Sequence, residues 1–205
     1  MNDEATRRSL HAVAELVMAG PQYRRSGTIR LFVRPGGFGT VTAPDLRVDG
    51  LYLVAGDRRV PLAGRSAADL AAAVGVEAGA PEGLYHDGCG VKPDEPLDAD
   101  PDAARWLARC WAAGDAALRQ LAPDEQPILW PEHFDVAVST GGATFGVCPG
   151  DHFFPEPYAY VTPPTPRGGP FWDAPFGAAR LMRDLDDARP DTVLAFFIEG
   201  QQHAA

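Results

Sequence analysis

The sequence has few of the features that mark disulfide-rich, secreted or membrane-spanning proteins. Its three cysteines, Cys89, Cys110 and Cys148, are odd in number and form no C-x-x-C pair, so neither a disulfide framework nor a zinc ribbon is indicated. No stretch approaches the ~18 apolar residues that a membrane-spanning helix needs. The first 20 residues mix charged and apolar side chains and lack the apolar core of a signal peptide. We therefore expect a cytoplasmic location.

Positive charge is also scarce. The 205 residues include 18 Lys and Arg against 28 Asp and Glu, which gives a net charge of -10. Such a chain repels phosphate backbones and anionic membrane surfaces, so we expect neither nucleic acid nor a membrane as a partner. A small molecule stays possible as a ligand, and an acidic surface favours a cationic small molecule over an anionic one. Apolar residues make up 45% of the chain, as in an average globular protein, so a folded core is expected.

The pattern of apolar residues and turn residues predicts one domain, 1–205, made of two similar halves. Each half is expected to run through a helix, four strands and a helix. The halves span residues 3–75 and 101–203, and a crossing rich in Gly, Pro and Asp joins them at 76–100. The similarity lies in the order of elements, not in residue identity.

In the first half, the predicted elements are a helix over 3–19 that Gly20-Pro21 ends, strands Thr28–Arg34, Leu46–Val48, Leu51–Val54 and Arg59–Leu62, and a helix Ala67–Val74 capped by Ser66. In the second half, they are a helix over 101–121, strands Phe134–Ser139, Thr144–Cys148, Tyr158–Thr162 and Gly177–Met182, and a helix Asp191–Gln202. The apolar run 193–198 also fits a buried strand. Asp-Gly and Gly-Asp pairs are typical of tight hairpins, so the fold class is α+β, with antiparallel sheets and helices packed on them.

The densest polar cluster lies around two predicted strand entries. The candidate catalytic residues are His133, Asp135, Asp151 and His152. If residues 132–138 are extended, His133 and Asp135 share one face, where they could bind a metal ion with His152 or Asp151 or do acid-base work. The alternative is structural, with these side chains bonded to loop backbone. Cys148 could be a thiol nucleophile, although a cysteine within an apolar strand is typical of a core.

Aromatic residues concentrate late in the chain, among proline-rich loops. A ring-lined cleft for a small molecule would use the candidate ligand-binding residues Trp130, Phe134, Phe153, Tyr158, Tyr160 and Trp172. The alternative is that these rings fasten loops to the sheet. The glycine-rich segment 34–40 has no following Lys-Ser/Thr pair or helix, so we interpret it as a flexible connection and not a phosphate loop. His11, His86 and His203 are expected to be solvated.

Five segments carry a resemblance to a known family. They are PGGFGT at 35–40, LWPEHFD at 129–135, CPGD at 148–151, EPYAYV at 156–161 and FWDAPFG at 171–177. Together they resemble an uncharacterised actinobacterial family of unknown function, over about Thr28 to Gly200. The resemblance implies relatives but no activity. Relatives often have Ser in place of Cys148. The order of segments also resembles a larger group of bacterial domains of unknown function, and the pair Glu132-His133 is outside the pattern of that larger group, so the resemblance favours Asp135 over His133.

These observations favour a small-molecule-binding domain with a ring-lined cleft near residues 130–135 and 148–176. A metal-assisted or acid-base hydrolase is the first alternative, and a homo-oligomeric interaction protein is the second. The sequence decides neither whether the chain is an enzyme nor which cofactor, substrate or oligomeric state it has.

Overall fold

A computed structural model of the chain describes residues 3–86 and 88–204. Within them the helices are α1 Asp3–Ala12, α2 Gly20–Ser26, α3 Ala67–Val74, α4 Pro101–Leu121 and α5 Pro190–Ala204, with a π-helical stretch, Val13–Ala19, between α1 and α2. The strands are β1 Leu31–Arg34, β2 Gly37–Thr40, β3 Arg47–Asp49, β4 Tyr52–Ala55, β5 Arg58–Pro61, β6 Ile128–Trp130, β7 Asp135–Thr140, β8 Ala143–Cys148, β9 Tyr158–Thr162 and β10 Ala178–Leu181. The prediction of an α+β fold with antiparallel strands is confirmed. None of the helices in the described part of the chain is long and apolar enough to cross a bilayer.

The chain forms two compact units. Unit 1 contains the described residues up to Ala108 together with Leu129–Phe134, and unit 2 contains Arg109–Ile128 and the described residues from Asp135 onward. In unit 1 the strand order is β6-β1-β2-β3-β4-β5, and in unit 2 it is β7-β8-β9-β10. The predicted similarity between residues 3–75 and 101–203 stays a prediction.

The first helix does not stop at Gly20-Pro21, and that prediction was wrong. The chain continues helically to Ser26 because the stretch before it has π-helical geometry, in which the Gly20 N–H donates to the carbonyl of Glu15. Pro21 has no N–H to donate. The Leu16 carbonyl accepts instead from the N–H of Gly79, at 2.9 Å. A distant segment thus supplies a bond that the proline cannot make.

The glycine-rich segment 34–40 is a hairpin, so its interpretation as a flexible connection was wrong. Arg34 pairs with Gly37 across a turn in which Gly36 has φ 80°, a conformation that glycine adopts without strain. All four residues of β2 are buried. The region therefore has five strands where four were predicted. Strand β6, also missed, pairs with β1 through Leu129 and Leu31.

In unit 2, α5 and the second part of α4 pack on one face of the sheet. Both contacts are close because they are made at glycines: a Cβ on Gly200 would lie 2.6 Å from Val161, and one on Gly114 would lie 2.6 Å from Val147. The apolar run 193–198 forms the helix that the sequence favoured. Its buried residues recur at the helical period, at Val193, Phe196, Phe197 and Gly200.

Substitution of Gly20 by Ala tests the contact between the first helix and Gly79. A Cβ at Gly20 would overlap the backbone carbonyl of Gly79, which cannot rotate away as a side chain could. Helix propensity alone would favour Ala by about 1 kcal/mol. We expect Gly20→Ala nevertheless to lower the free energy of unfolding by about 2 kcal/mol or more, measured by urea denaturation. Gly168→Ala is the control, because no atom lies within 4 Å of its added Cβ; equal stability of the two variants would contradict the expectation.

Candidate functional site

Two of the candidate aromatic residues, Tyr158 and Tyr160, lie on the face of the unit 2 sheet opposite α4 and α5. Tyr158 pairs with Cys148 and Tyr160 pairs with Gly146 across β8 and β9. Because side chains alternate along a strand, both tyrosines point to the same face. The Tyr160 ring lies directly over Gly146, where an added Cβ would come within 2.6 Å of the ring. The glycine thus provides the space that holds the two rings side by side.

Each tyrosine hydroxyl donates a hydrogen bond to an aspartate. Tyr160 donates to Asp135 Oδ2, and Tyr158 donates to Asp151 Oδ2 at 2.7 Å. Burial, followed by the charge of Asp135, raises the pKa of Tyr160 well above its ordinary value. Burial is also the main cause of the raised pKa of Tyr158. Both phenols therefore stay protonated and act as fixed donors, not as bases.

Cys148 lies between these two pairs and is not an activated thiol. Burial, followed by the charge of Asp135, raises its pKa to about 12. A nucleophilic cysteine needs the opposite shift, toward a lower pKa. The geometry favours the interpretation of Cys148 as a core residue.

Asp151 and His152 belong to a turn whose backbone Asp151 organises. Asp151 Oδ1 accepts from the N–H groups of Phe153 at 2.8 Å and Phe154 at 3.1 Å. With Tyr158 on its other oxygen, this carboxylate is fully engaged in structure. His152 is exposed, and its ring lies 4.2 Å from that of Phe153.

An open groove with a volume of about 460 Å³ adjoins the rings. We call it the Tyr158 groove, and it is lined by Phe154, Tyr158, Asp173, Ala179, Arg180, Leu181 and Asp184. The volume is in the range of small-molecule sites, roughly 300–1,000 Å³. Of these residues, only Tyr158 was among the sequence candidates. The residues on β10 and its flanking loops were missed because they reach the groove through pairing with β9, which no local pattern reveals. Phe154 lies in the loop between β8 and β9.

The rim of the Tyr158 groove carries three charged side chains, of which two form an ion pair with each other. Arg180 forms an ion pair with Asp173, and its guanidinium lies 5.5 Å from the Phe196 ring centre. Among the described residues, the carboxylate of Asp184 has no ion-pair partner. The groove therefore combines an apolar floor with one unneutralised negative charge.

Two further aromatic candidates of unit 2, Phe153 and Trp172, do not line the Tyr158 groove. Phe153 is 46% exposed and contacts Phe176, with ring centres 5.5 Å apart. Trp172 packs against Phe171 at 4.9 Å, and Phe171 also stacks on His203 at 4.7 Å. His203, expected to be solvated, thus has a ring partner, and Trp172 lies beside α5 and not in the Tyr158 groove.

Trp130, His133 and Phe134 belong to unit 1, where residues 131–134 form a turn and not a strand. The assumption that put His133 and Asp135 on one strand face was therefore wrong. The Phe134 N–H donates to the Trp130 carbonyl at 2.7 Å, and Phe134 adopts φ 58°, which is uncommon for a bulky residue. Its side chain is 1% exposed and anchors the turn in the core. His133 has a 68% exposed side chain, 3.8 Å from Glu132.

His11 holds this turn, although the sequence suggested a solvated histidine. Its Nε2 donates to the Pro131 carbonyl at 2.6 Å, which fixes the neutral tautomer that carries the Nε2 proton, and its ring stacks on Phe134 at 5.0 Å. Burial lowers the pKa of His11 from its usual value of 6.5, and the Pro131 bond opposes that shift only in part. The folded protein therefore favours the neutral ring.

A buried carboxylate on the π-helical stretch was also missed. Glu15 is 3% exposed and accepts from the Cys89 N–H at 2.6 Å. Gly88 leaves room for it, because a Cβ there would overlap the carboxylate. Burial, with a contribution from Glu15, raises the pKa of Cys89 to about 12 and also raises that of Tyr85. The signal available in the sequence was a single acidic residue inside the apolar run 13–19.

The described residues contain no group of three or more His, Cys, Asp or Glu side chains placed to hold a metal ion. The predicted metal set of His133, Asp135 and His152 thus gains no support from the geometry. Comparisons with protein-family models, with curated proteins and with solved structures found no match to this chain. The resemblance to an uncharacterised actinobacterial family stays a prediction.

The buried His11 predicts a pH-dependent stability. Its folded pKa is lower than its unfolded pKa of about 6.5, so its contribution to stability is complete above that pH and is lost as the pH falls through the folded value. Within that window, we expect the free energy of unfolding of the wild type to fall by up to about 1.4 kcal/mol per pH unit relative to His11→Gln. Urea denaturation at a series of pH values measures the difference. His152→Gln, which changes an exposed histidine of unit 2, should keep the wild-type profile; an unchanged profile for His11→Gln would show that His11 is not held neutral.

Removal of the Tyr160 hydroxyl tests its bond to Asp135. Asp135 is 7% exposed, so loss of a donor leaves part of a buried carboxylate poorly solvated. We expect Tyr160→Phe to lower the free energy of unfolding by about 1.5–3 kcal/mol, measured by chemical denaturation. Tyr52→Phe, at a 38% exposed tyrosine, should change it by less than about 0.5 kcal/mol. The assignment fails if both variants are equally stable.

Proposed function

We propose that this chain is a small-molecule-binding protein whose ligand lies in the Tyr158 groove. The observation that carries the proposal is a groove of small-molecule size, about 460 Å³, with an apolar floor and a charged rim. Tyr158 and Phe154, with ring centres 5.2 Å apart, supply the floor. Flat apolar walls with a few placed polar groups are what small-molecule sites share.

The charges on the rim favour a ligand with a basic amine. Arg180 balances Asp173, whereas Asp184 is left with an open carboxylate at the same groove. A cation placed there would gain a charge-assisted hydrogen bond, which is stronger than a neutral one. The ligand we propose has an apolar or aromatic body on Tyr158 and Phe154 and an amine at Asp184.

Binding has more support than catalysis at this site. The side chains around the two tyrosine rings include the protonated tyrosine hydroxyls, the protonated thiol of Cys148 and two carboxylates, Asp135 and Asp151, that each accept from a tyrosine. Asp151 is also committed to turn backbone. The hydrolase alternative used His133, Asp135, Asp151 and His152, of which His133 and His152 are exposed. The homo-oligomer alternative would rest on exposed apolar residues such as Phe153 and Ile198, and sedimentation equilibrium would test it.

The test is a thermal-shift and calorimetric screen of aromatic and aliphatic primary amines, each paired with the carboxylic acid of the same carbon skeleton. We expect amines to bind and their acids not to bind. Asp184→Asn should weaken amine binding by about tenfold, the loss of one charge-assisted hydrogen bond.

Asp186→Asn is the matched control for that variant. Asp186 is exposed, lies two residues after Asp184 and does not line the groove, so this variant removes the same charge outside the site. The variant should bind amines as the wild type does. A flat screen removes the proposal. Binding that Asp184→Asn and Asp186→Asn weaken equally would place the ligand elsewhere.

A further inference from the structure

One face of β2 shows bare backbone between two arginine-bearing strands. Phe38 is fully buried on one side, so Gly37 and Gly39 lie on the other. The register places Gly39 beside Arg47 of β3 and Gly37 beside Arg34 of β1. Because Gly37 and Gly39 have no side chains, this face of β2 leaves a hollow that side chains of β1 and β3 border.

The two arginines converge over this hollow. A Cβ added to Gly39 would lie 3.2 Å from the Cβ of Arg47 and 3.4 Å from the Cγ of Arg34. The two aliphatic stems therefore approach each other above Gly39 from opposite strands. The two arginine side chains are therefore neighbours on this face of the sheet, with their aliphatic parts on either side of Gly39.

Within the described part of the chain neither guanidinium forms an ion pair with a carboxylate, although Asp45 and Asp49 line the same groove. Asp49, the nearest acid on β3, forms its ion pair with Arg59 at 3.5 Å. Arg34 lies over the Phe32 ring, 5.7 Å from its centre, which orients the guanidinium but leaves its donors available. An anion that both guanidinium groups contact would be stabilised by each of them.

A cavity of about 550 Å³ lies at this place, and its lining includes Arg34, Gly36, Asp45, Arg47 and Asp49. We call it the Arg34–Arg47 groove. Its volume is again that of a small-molecule site. Asp45 and Asp49 add acceptors at its edge, and such acceptors suit hydroxyl groups of a ligand.

We propose that the Arg34–Arg47 groove is a second binding site, for the oxyanion of a small hydroxyl-bearing molecule. Arg34 and Arg47 hold the oxyanion through charge-assisted hydrogen bonds, for which the planar guanidinium is well suited. Asp45 and Asp49 accept from its hydroxyl groups. A phosphate ester and a hydroxycarboxylate share this chemistry. The inference is independent of the amine ligand proposed for unit 2, because it rests on different residues and the opposite charge.

Isothermal titration calorimetry with three probes tests it: inorganic pyrophosphate, glycerol 3-phosphate and citrate, at constant ionic strength. We expect saturable binding of at least one probe. Arg34→Ala and Arg47→Ala should each weaken that binding by about tenfold or more. The probe that binds best distinguishes a phosphate from a carboxylate ligand.

Arg25→Ala is the matched control. Arg25 is exposed on α2 and does not line the groove, so this variant makes the same change in net charge without touching the site. Its affinity should stay within about twofold of the wild type. Circular dichroism checks that all variants are folded. Absence of saturable binding to the wild type, or equal weakening by all three variants, would overturn the proposal.

Discussion

Unit 1 depends on a carboxylate buried in the middle of its first helix. Burying an ion costs several kcal/mol unless hydrogen bonds replace its water. Glu15 recovers part of that cost from the Cys89 N–H, which ties residues 88–91 to the helix. The same helix holds the 131–134 turn through His11 and accepts the Gly79 N–H at Leu16. One helix thus fixes three chain segments that have no secondary structure of their own.

In unit 2 the organising feature is a glycine, Gly146, which has no side chain between the sheet and the Tyr160 ring. Gly146 lets the Tyr160 ring lie on the sheet, which places its hydroxyl at Asp135 and keeps Tyr158 in register beside it. The resulting array contains a thiol and two phenols whose pKa values are raised, so that they keep their protons. Fixed donors of this kind can orient a ligand, which is the physical reason for the proposal of a binding site.

The sequence predicted what local patterns determine. Ser66 and Asp69 form the capping box that starts α3, and Pro101 starts α4 as expected. What it could not predict depends on distant partners. Gly20-Pro21 reads as a stop, because nothing local shows that Gly79 will satisfy the helix. Asp151 was identified as a candidate, but its backbone bonds show a structural role. Arg180 and Asp184 were missed since only strand pairing brings them to Tyr158.

Net charge describes the whole protein and not the surroundings of a small ligand. A total of -10 argues soundly against an extended polyanion, which would meet the whole field of the protein. A small ligand meets only the charges within about a Debye length, ~8 Å in physiological salt. At Gly39 the closest side-chain atoms belong to two arginines, whereas the Tyr158 groove is bordered by Asp184, which has no ion-pair partner among the described residues. The ligand charge proposed for each groove therefore follows from which strands are neighbours, and the net charge of the chain does not oppose it.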